Sequence, residues 1–327
     1  MILSKTPFRI SFAGGGSDLP AFFERSYGAV VSSAIDKFVY IAVHRFFEPR
    51  FVLKYSQTEA CDSVDAIQHP LIRECLRSTQ TPPPLEITSI ADIPSTGSGL
   101  GSSSAFAVGL INALGAYQGR MLSHDICAAQ ACEVEIRRLG EPIGKQDQYA
   151  AAFGGFNYIR FNPDGGVHVD PIIMPGETRA ALQQRLVMFY TGVNRKASSI
   201  LGEQRKNVSG STSHYEILRQ IRDQADVLRA ELGRGNIDAV GDLMHAGWQL
   251  KRQMAQGISN PAFDEIYDRA RLAGVRGGKL LGAGGGGFFL FYCEPEKRSE
   301  LIGALPELRP VDFQLERQGT RIIYVGD

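Results

Sequence analysis

Short apolar runs rich in Val, Ile, Phe and Tyr recur along the chain, and each is bounded by Gly, Pro, Asp or Asn. Such runs are typical of β-strands. They predict strands at residues 8–12, 30–46, 51–55, 85–93, 156–161, 167–173, 186–193, 288–293 and 319–325. Elsewhere apolar residues recur every three or four positions, which is the spacing of one helix face. This second pattern predicts helices at residues 105–117, 123–139, 215–232, 238–253 and 262–273.

The order of these elements predicts the fold class. Strands and helices come in runs rather than in strict alternation, which favours an α+β fold over a doubly wound parallel sheet. A proline-bounded stretch at 171–175 predicts a boundary between two halves, residues 1–172 and 173–327. Ser123 is a predicted N-cap, and Asn260 followed by Pro261 predicts the start of a helix. No period of about 20–50 residues repeats, which excludes a solenoid.

Composition narrows the class of partner. The 35 Lys and Arg residues balance 35 Asp and Glu residues, so the formal net charge is zero. Nucleic-acid partners usually require a basic excess, so we expect none. No apolar run approaches the roughly 18 residues that span a bilayer, and the N-terminus lacks an export signal, so we expect a cytoplasmic protein without membrane contact. The five cysteines form no CxxC pair and the histidines are scattered, which disfavours a Cys/His metal site.

Glycine is in excess, with 36 residues, and it concentrates in clusters at 14–16, 97–101 and 282–287. The second cluster, within PSTGSGLGSSS at 94–104, follows a predicted strand and precedes a predicted helix. Glycines let successive backbone N–H groups face one concavity, and the helix start adds further free N–H groups. We therefore predict a phosphate-binding loop rather than a flexible linker. Its residues are Gly97, Ser98, Gly99, Leu100, Gly101, Ser102, Ser103 and Ser104. The Walker A pattern GxxxxGK[ST] occurs nowhere in the chain.

The other two clusters lie beside predicted strands. Residues 282–287 match the dinucleotide fingerprint GxGxxG, but an apolar strand follows where that fingerprint requires a helix. A glycine-rich hairpin close to a substrate fits better, and a nicotinamide-dependent oxidoreductase is a remote alternative. In the first cluster, a strand carrying Arg9 leads into a glycine turn that ends at Asp18. Arg9 either serves a ligand or faces solvent.

The three glycine motifs, in this order, resemble the GHMP kinase superfamily, which includes galactokinases, homoserine kinases, mevalonate kinases and phosphomevalonate kinases. The match runs from residue 6 to the strand after Gly287, and the 94–104 segment carries most of it. The resemblance implies an N-terminal domain like ribosomal protein S5 and a ferredoxin-like C-terminal domain. It also implies ATP, Mg²⁺ and an active site between the domains. Monomer and homodimer both stay open.

The resemblance further implies roles for single residues. Ser103 and Glu135 fall at the magnesium-binding positions, Asp147 at the position of the catalytic base, and Arg9 and Asp18 near the reacting hydroxyl and the sugar hydroxyls. Further predicted substrate contacts are Gly15, Gly16, Ser17, Arg195, Gly284 and Gly285. Two alternatives stay open: Glu135 could be an ordinary exposed helix residue, and Asp147 a helix N-cap.

Three segments, at 13–20, 144–155 and 190–198, resemble the branch that contains D-glycero-D-manno-heptose 7-phosphate kinases and fucokinase-like enzymes. Those heptose kinases phosphorylate the anomeric hydroxyl, giving a 1,7-bisphosphate on the route to GDP-activated heptose. A substrate that already carries a phosphate needs a cationic pocket away from ATP. Arg195 is the preferred candidate, before Lys196, Arg137 and Arg138. For Arg137 and Arg138 a solvated surface role stays equally open. The alternatives are a kinase of an unphosphorylated sugar and, more remotely, a non-catalytic sensor of sugar and nucleotide.

Overall fold

The computed structural model describes residues 1–93, 97–193 and 197–326, which form two β-sheets and the helices around them. The strands are β1 (Ile2–Ala13), β2 (Gly28–His44), β3 (Phe51–Lys54), β4 (Thr58–Cys61), β5 (Leu85–Ala91), β6 (Phe156–Phe161), β7 (Val167–Pro171), β8 (Leu186–Tyr190), β9 (Gly277–Leu280), β10 (Phe288–Tyr292), β11 (Arg309–Val311) and β12 (Arg321–Val325). The helices are α1 (Pro20–Phe23), α2 (Pro70–Thr79), α3 (Ser102–Tyr117), α4 (His124–Cys132), α5 (Gln146–Phe153), α6 (Gly176–Arg185), α7 (Ala197–Gly210), α8 (Thr212–Gly233), α9 (Asp238–Lys251), α10 (Pro261–Leu272) and α11 (Arg298–Ala304).

The larger sheet has the order β12-β1-β2-β5-β3-β4. The long strand β2 pairs with β5 along its second half and with β6 along its first half, and β7 extends the sheet beyond β6. Helix α3 packs on this sheet and buries most of its residues. An almost uniformly apolar helix is expected to be enclosed in this way. Phe8, Ile10 and Phe12 of β1 belong to the same core.

The smaller sheet is antiparallel throughout, in the order β11-β8-β10-β9. Every residue of β10 is buried, so the strand is a continuous apolar run instead of an alternating one. Phe289 and Phe291 of this strand pack with Trp248 of α9 and Tyr267 of α10 in a second core. The predicted α+β class is confirmed, and a strand lies at each predicted strand position.

The helix predicted over residues 123–139 is a regular α-helix only in its first part. Ser123 caps α4 as predicted, because its hydroxyl accepts a hydrogen bond from the amide of Ile126. The α-helix ends at Cys132 and continues as a π-helical segment over Glu133–Arg138. A π-helical segment widens the helix locally and changes where its side chains point, and such segments are common at functional sites.

The boundary at residue 172 falls at the end of β7 and stays a prediction, but one strand crosses it. β12 pairs antiparallel with β1 and therefore belongs to the sheet of the first half. The segment that leads into β12 also contacts the first half: the Asp36 amide donates a hydrogen bond to the Gln314 carbonyl at 2.9 Å. The pairing covers an edge of β1 that would otherwise expose unpaired backbone groups. None of the helices formed by the described residues is long and apolar enough to cross a membrane.

Candidate active site

A cavity of about 480 Å³ opens between the two halves of the chain. One side comes from the first two glycine clusters and the start of α5, and the other from α7, the end of α9 and the hairpin between β9 and β10. The lining residues on these two sides include Gly15, Gly16, Asp18, Gly97, Ser98, Gly99, Gly101, Ser102, Ser103, Ser104, Glu135, Asp147, Gln204, Lys251, Gly282 and Ala283. Most of the predicted site residues therefore meet in one place.

The loop before α3 is held on both sides by backbone contacts. The Arg9 amide donates to the Leu100 carbonyl at 3.0 Å, and the Leu100 side chain is buried in the core. Gly99 has φ +74°, and a Cβ there would lie 2.4 Å from the carbonyl oxygen of Leu281 in the hairpin. Only glycine fits such a position. The loop leads into the N-terminus of α3, where free backbone N–H groups and the helix dipole favour an anion.

Arg9 and Asp147 form a bidentate ion pair at the mouth of this loop. Nε and Nη2 of Arg9 each donate to one oxygen of Asp147 at 2.7 Å, and Nη1 donates to the Gly99 carbonyl at 2.6 Å. Arg9 is only 3% exposed, so the alternative that it faces solvent is wrong. Asp147 lies in the first turn of α5, and Lys145 occupies the N-cap position. The alternative that Asp147 caps the helix is therefore wrong as well.

Glu135 points into the protein from the π-helical segment. Its carboxylate accepts hydrogen bonds from the Ser103 hydroxyl at 2.5 Å and from the Gln148 side-chain amide at 2.6 Å. Burial raises the pKa of Glu135 to about 7, against the lowering effect of these hydrogen bonds. Glu135 is 1% exposed, so the alternative of an exposed helix residue is wrong. In the described part of the chain, no three His, Cys, Asp or Glu residues cluster as a metal site.

Asp18 is buried at the floor of the cavity. Its carboxylate accepts hydrogen bonds from the backbone and side-chain amides of Gln146, at 3.0 and 3.2 Å, and from the Gly16 amide at 3.2 Å. Burial raises the pKa of Asp18 to about 6. Gly144 leaves the space for this carboxylate, because a Cβ there would lie 2.0 Å from Asp18 Oδ2. Gly15 and Gly16 line the cavity, whereas Ser17 is fully buried beneath it.

Four other predicted residues lie away from the cavity lining. Gly284 and Gly285 pack against Ile258, and the Gly285 amide donates to the Ile258 carbonyl at 2.9 Å. Arg137 and Arg138 approach Glu133 on the outside of the π-helical segment. Arg195 and Lys196 lie outside the described residues.

Two buried lysines beside the cavity were not predicted from the sequence. The Lys251 ammonium donates to the Gly282 carbonyl, and burial lowers the pKa of Lys251 to about 8. Lys279 lies behind it, 3.4 Å from the Ser11 hydroxyl, and burial lowers its pKa well below the usual value. One signal was available: Lys251 follows the buried residues Met244 and Trp248 at helical spacing, on the apolar face of α9.

Comparison with known proteins identifies the family. Residues 66–155 match the GHMP kinases N terminal domain, and residues 228–309 match the GHMP kinases C terminal family. The chain is 28% identical to D-glycero-alpha-D-manno-heptose 7-phosphate kinase of Campylobacter jejuni over 98% of both chains. It is 30% identical to mevalonate kinase of Methanothermobacter thermautotrophicus over 68% of this chain and 69% of that one.

A solved structure is similar over the whole chain. It is described as a D-glycero-D-manno-heptose 1-phosphate kinase from Bacteroides thetaiotaomicron, with a TM-score of 0.83 and 26% sequence identity, and the match covers 100% of both chains. The overall fold of this chain is thus shared with that solved structure over its full length. The chain belongs to the GHMP kinases, and its fold is the two-domain α+β fold of that family of ATP-dependent kinases.

Proposed function

We propose that this protein transfers the γ-phosphoryl group of ATP to the anomeric hydroxyl of D-glycero-D-manno-heptose 7-phosphate. The product would be the 1,7-bisphosphate, an intermediate on the route to GDP-activated heptose. The observation that carries the proposal is the convergence of the Arg9–Asp147 pair and the 97–104 loop on one cavity. The choice of sugar rests on the similarity to the Campylobacter jejuni enzyme, which extends over 98% of both chains.

The 97–104 loop would bind the β- and γ-phosphates of ATP. Three of its members, Gly97, Gly99 and Gly101, have positive φ angles, which turn neighbouring amides toward one concavity. The amides of Ser102, Ser103 and Ser104 extend this surface at the start of α3. The cavity side of the loop therefore offers backbone donors to an anion, without a lysine inside the loop itself.

The site for Mg²⁺ would be formed by Ser103 and Glu135. A hydroxyl and a carboxylate oxygen are donors that Mg²⁺ accepts, and this ion commonly takes few protein ligands beside phosphate oxygens. Glu135 is buried next to hydroxyl and amide donors, with no ion pair in the described part of the chain, so a cation would compensate its charge. When bound, Mg²⁺ would neutralise charge on the phosphates.

Asp147 would accept the proton of the anomeric hydroxyl as its oxygen attacks phosphorus. The bidentate contact with Arg9 compensates the charge of the carboxylate and fixes its orientation. An anomeric hydroxyl is more acidic than an ordinary alcohol, so the group that accepts its proton does not need a strongly raised pKa. Asp18, Gly15 and Gly16 would position the sugar on the same side of the cavity. Arg195 remains the proposed contact for the 7-phosphate.

An ADP-release assay with matched sugars tests the proposal. The panel contains the heptose 7-phosphate, the same heptose without phosphate, fucose, galactose and mannose. We expect kcat/KM for the heptose 7-phosphate to exceed the value for the free heptose by at least about 100-fold, because a site built for a polar group discriminates strongly against its absence. The product should have lost its reducing end.

Two results of the same assay would contradict the proposal. Equal kcat/KM values for the free and phosphorylated heptose would favour a kinase of an unphosphorylated sugar. Binding of sugar and ATP without ADP release would favour the sensor. With an active enzyme, Arg195→Ala should raise KM for the phosphorylated heptose and leave KM for the free heptose unchanged.

A further inference from the structure

Lys251 brings an ammonium group from the second half of the chain into the cavity. It is the last residue of α9 and is 9% exposed. Within the described ranges, the ammonium makes one hydrogen bond, to the Gly282 carbonyl, and no ion pair. A lysine ammonium has three donors, and a buried charge without an anionic partner is costly. The position therefore suits an anion that arrives with a substrate.

The other cation in the described lining is already engaged. Arg9 directs Nε and Nη2 to Asp147 and Nη1 to the Gly99 carbonyl. Lys279, which approaches Lys251 from β9, lies outside the cavity lining and is 3.4 Å from the Ser11 hydroxyl. Among the described residues that line the cavity, Lys251 is thus the cation that still has N–H donors available to a ligand.

The charges around Lys251 place it beside the reacting centre. Arg9 from β1, Asp18 from the turn after β1, Asp147 from α5 and Lys279 from β9 are all close enough to act on it electrostatically. The two carboxylates make their hydrogen bonds to other partners, Arg9 and Gln146 among them. An anion bound here would therefore lie close to Asp147.

The hairpin contact ties Lys251 to the phosphate end of the cavity. Gly282, whose carbonyl holds the ammonium, packs on the 97–104 loop, because a Cβ on Gly282 would lie 2.5 Å from Gly99 Cα. Arg9 is anchored at the same loop residue through the Gly99 carbonyl. A phosphate already carried by the sugar would lie at the opposite end of that sugar from its reacting hydroxyl. Lys251 therefore lies on the side of the γ-phosphoryl group that is transferred, and not on the side of the phosphate that the sugar already carries.

We propose that Lys251 is a further catalytic residue, whose ammonium donates a hydrogen bond to a non-bridging oxygen of the γ-phosphoryl group during transfer; this inference rests on the proposed kinase function. The sugar oxygen forms a bond to the γ-phosphorus while the bond from that phosphorus to the β–γ bridging oxygen breaks. Asp147 receives the hydroxyl proton, and the electron pair of the broken bond leaves with ADP. Lys251 neutralises charge on the phosphoryl oxygens from the second half of the chain.

Replacement of Lys251 by Met removes the charge and keeps the length of the side chain. We expect kcat to fall by about 10²–10³-fold, with KM for the sugar within about threefold of the wild-type value, because the contact matters most in the transition state. The matched control is Arg252→Gln, the next residue, whose guanidinium pairs with Asp264 at 2.9 Å. It should leave kcat unchanged. Melting temperatures of all variants establish that they are folded.

The pH profile separates a catalytic role from a structural one. The pKa of Lys251 is lowered to about 8, so in the free wild-type enzyme the ammonium loses its proton as pH rises through 8. We expect kcat/KM to fall on that alkaline side. In Lys251→Arg the charge persists at every accessible pH, so this alkaline limb should disappear or move well above pH 9. A merely structural lysine would leave the limb in place.

Three results would overturn the inference. An active Lys251→Met enzyme with unchanged kcat contradicts the role of Lys251 and leaves the proposed kinase function standing. A variant with intact kcat and a KM raised only for the phosphorylated sugar would show that Lys251 binds the phosphate already on the substrate. A wild-type enzyme that turns over no sugar contradicts the proposed function, and the transfer role of Lys251 with it.

Discussion

At the scale of single residues, the ion pair between Arg9 and Asp147 shows how one contact can orient a proposed base. The Arg9 side chain is 4% exposed and the Asp147 side chain 24%. The arginine is therefore part of the protein interior, while its partner still reaches the cavity. A bidentate contact restricts rotation of both groups. The carboxylate is consequently presented to the substrate in one orientation before the substrate binds.

Asp147→Asn tests the proposed role of Asp147 as the base. An amide cannot take up the hydroxyl proton, so we expect kcat to fall by about 10²–10⁴-fold while the Kd for ATP changes little. The measurement is steady-state turnover together with calorimetric ATP binding. Asp312→Asn is the control, since its side chain is 98% exposed and its ion pair with Arg298 is long, at 3.6 Å. Turnover of Asp147→Asn close to that of the control would remove Asp147 as the base.

The residues that the sequence could predict are those whose positions are set by the glycine motifs and the family resemblance that these motifs carry. Arg9, Asp18 and Asp147 lie beside or between such motifs, so their approach to a common cavity follows from the family pattern. Lys251 and Lys279 could not be assigned in this way, because a lysine in a helix or a short strand usually lies at the surface. Their burial depends on packing between α9, the hairpin and β1, which are distant in the sequence.

At the scale of elements, two glycine-rich loops from different halves interlock. The space that a Cβ of Gly99 would need is filled by the Leu281 carbonyl, and the space for a Cβ of Gly282 is filled by Gly99. Close backbone contact of this kind is possible only where side chains are absent from both partners. The predicted hairpin at 282–287 is confirmed between β9 and β10, and the described contacts show it packed against the 97–104 loop.

Gly282→Ala tests this contact. The position has φ +70°, and the added methyl would lie 2.5 Å from Gly99 Cα, so the loop or the hairpin must move. We expect a loss of about 1–3 kcal/mol in the free energy of unfolding and a Kd for ATP raised about tenfold or more. Urea denaturation and ATP titration give the two values. Gly303→Ala is the matched control, because nothing lies within 4 Å of its Cβ position. Equal ATP affinity in both variants would show that the contact does not shape the loop.

Two of the elements that sequence patterns missed, β9 and α6, lack the signal that such patterns detect. β9 begins with Gly277 and Gly278, which packing requires: their Cβ positions lie 1.9 Å from the Gly241 carbonyl and 2.3 Å from the Phe291 ring. Such a strand lacks the β-branched residues that a pattern detects. Helix α6 buries only Leu182, so it carries no apolar face to recognise. Both elements are specified by their neighbours rather than by local propensity.

At the scale of the whole molecule, the end of the described chain is fixed to its beginning. Just before β12, the Thr320 hydroxyl hydrogen-bonds to the Thr6 hydroxyl at 2.7 Å and accepts from the Asn112 side-chain amide at 3.2 Å. These groups come from β1, from α3 and from the far end of the sequence, and all three residues are buried. Thr6 lies on the same strand as Arg9. This polar cluster therefore supports the strand that carries a proposed catalytic residue.

Thr320→Val removes that hydroxyl at nearly constant volume. The Thr6 hydroxyl and the Asn112 amide would then be buried without their partner, so we expect the free energy of unfolding to fall by about 1–3 kcal/mol. Thr58→Val on the exposed strand β4 is the control and should change it by less than about 0.5 kcal/mol. The double variant Thr6→Val/Thr320→Val should lose less than the two single losses added together, because one unpaired hydroxyl is gone. Strict additivity of the two losses would show that the hydroxyls do not interact, and that β12 is held to β1 by its backbone pairing alone.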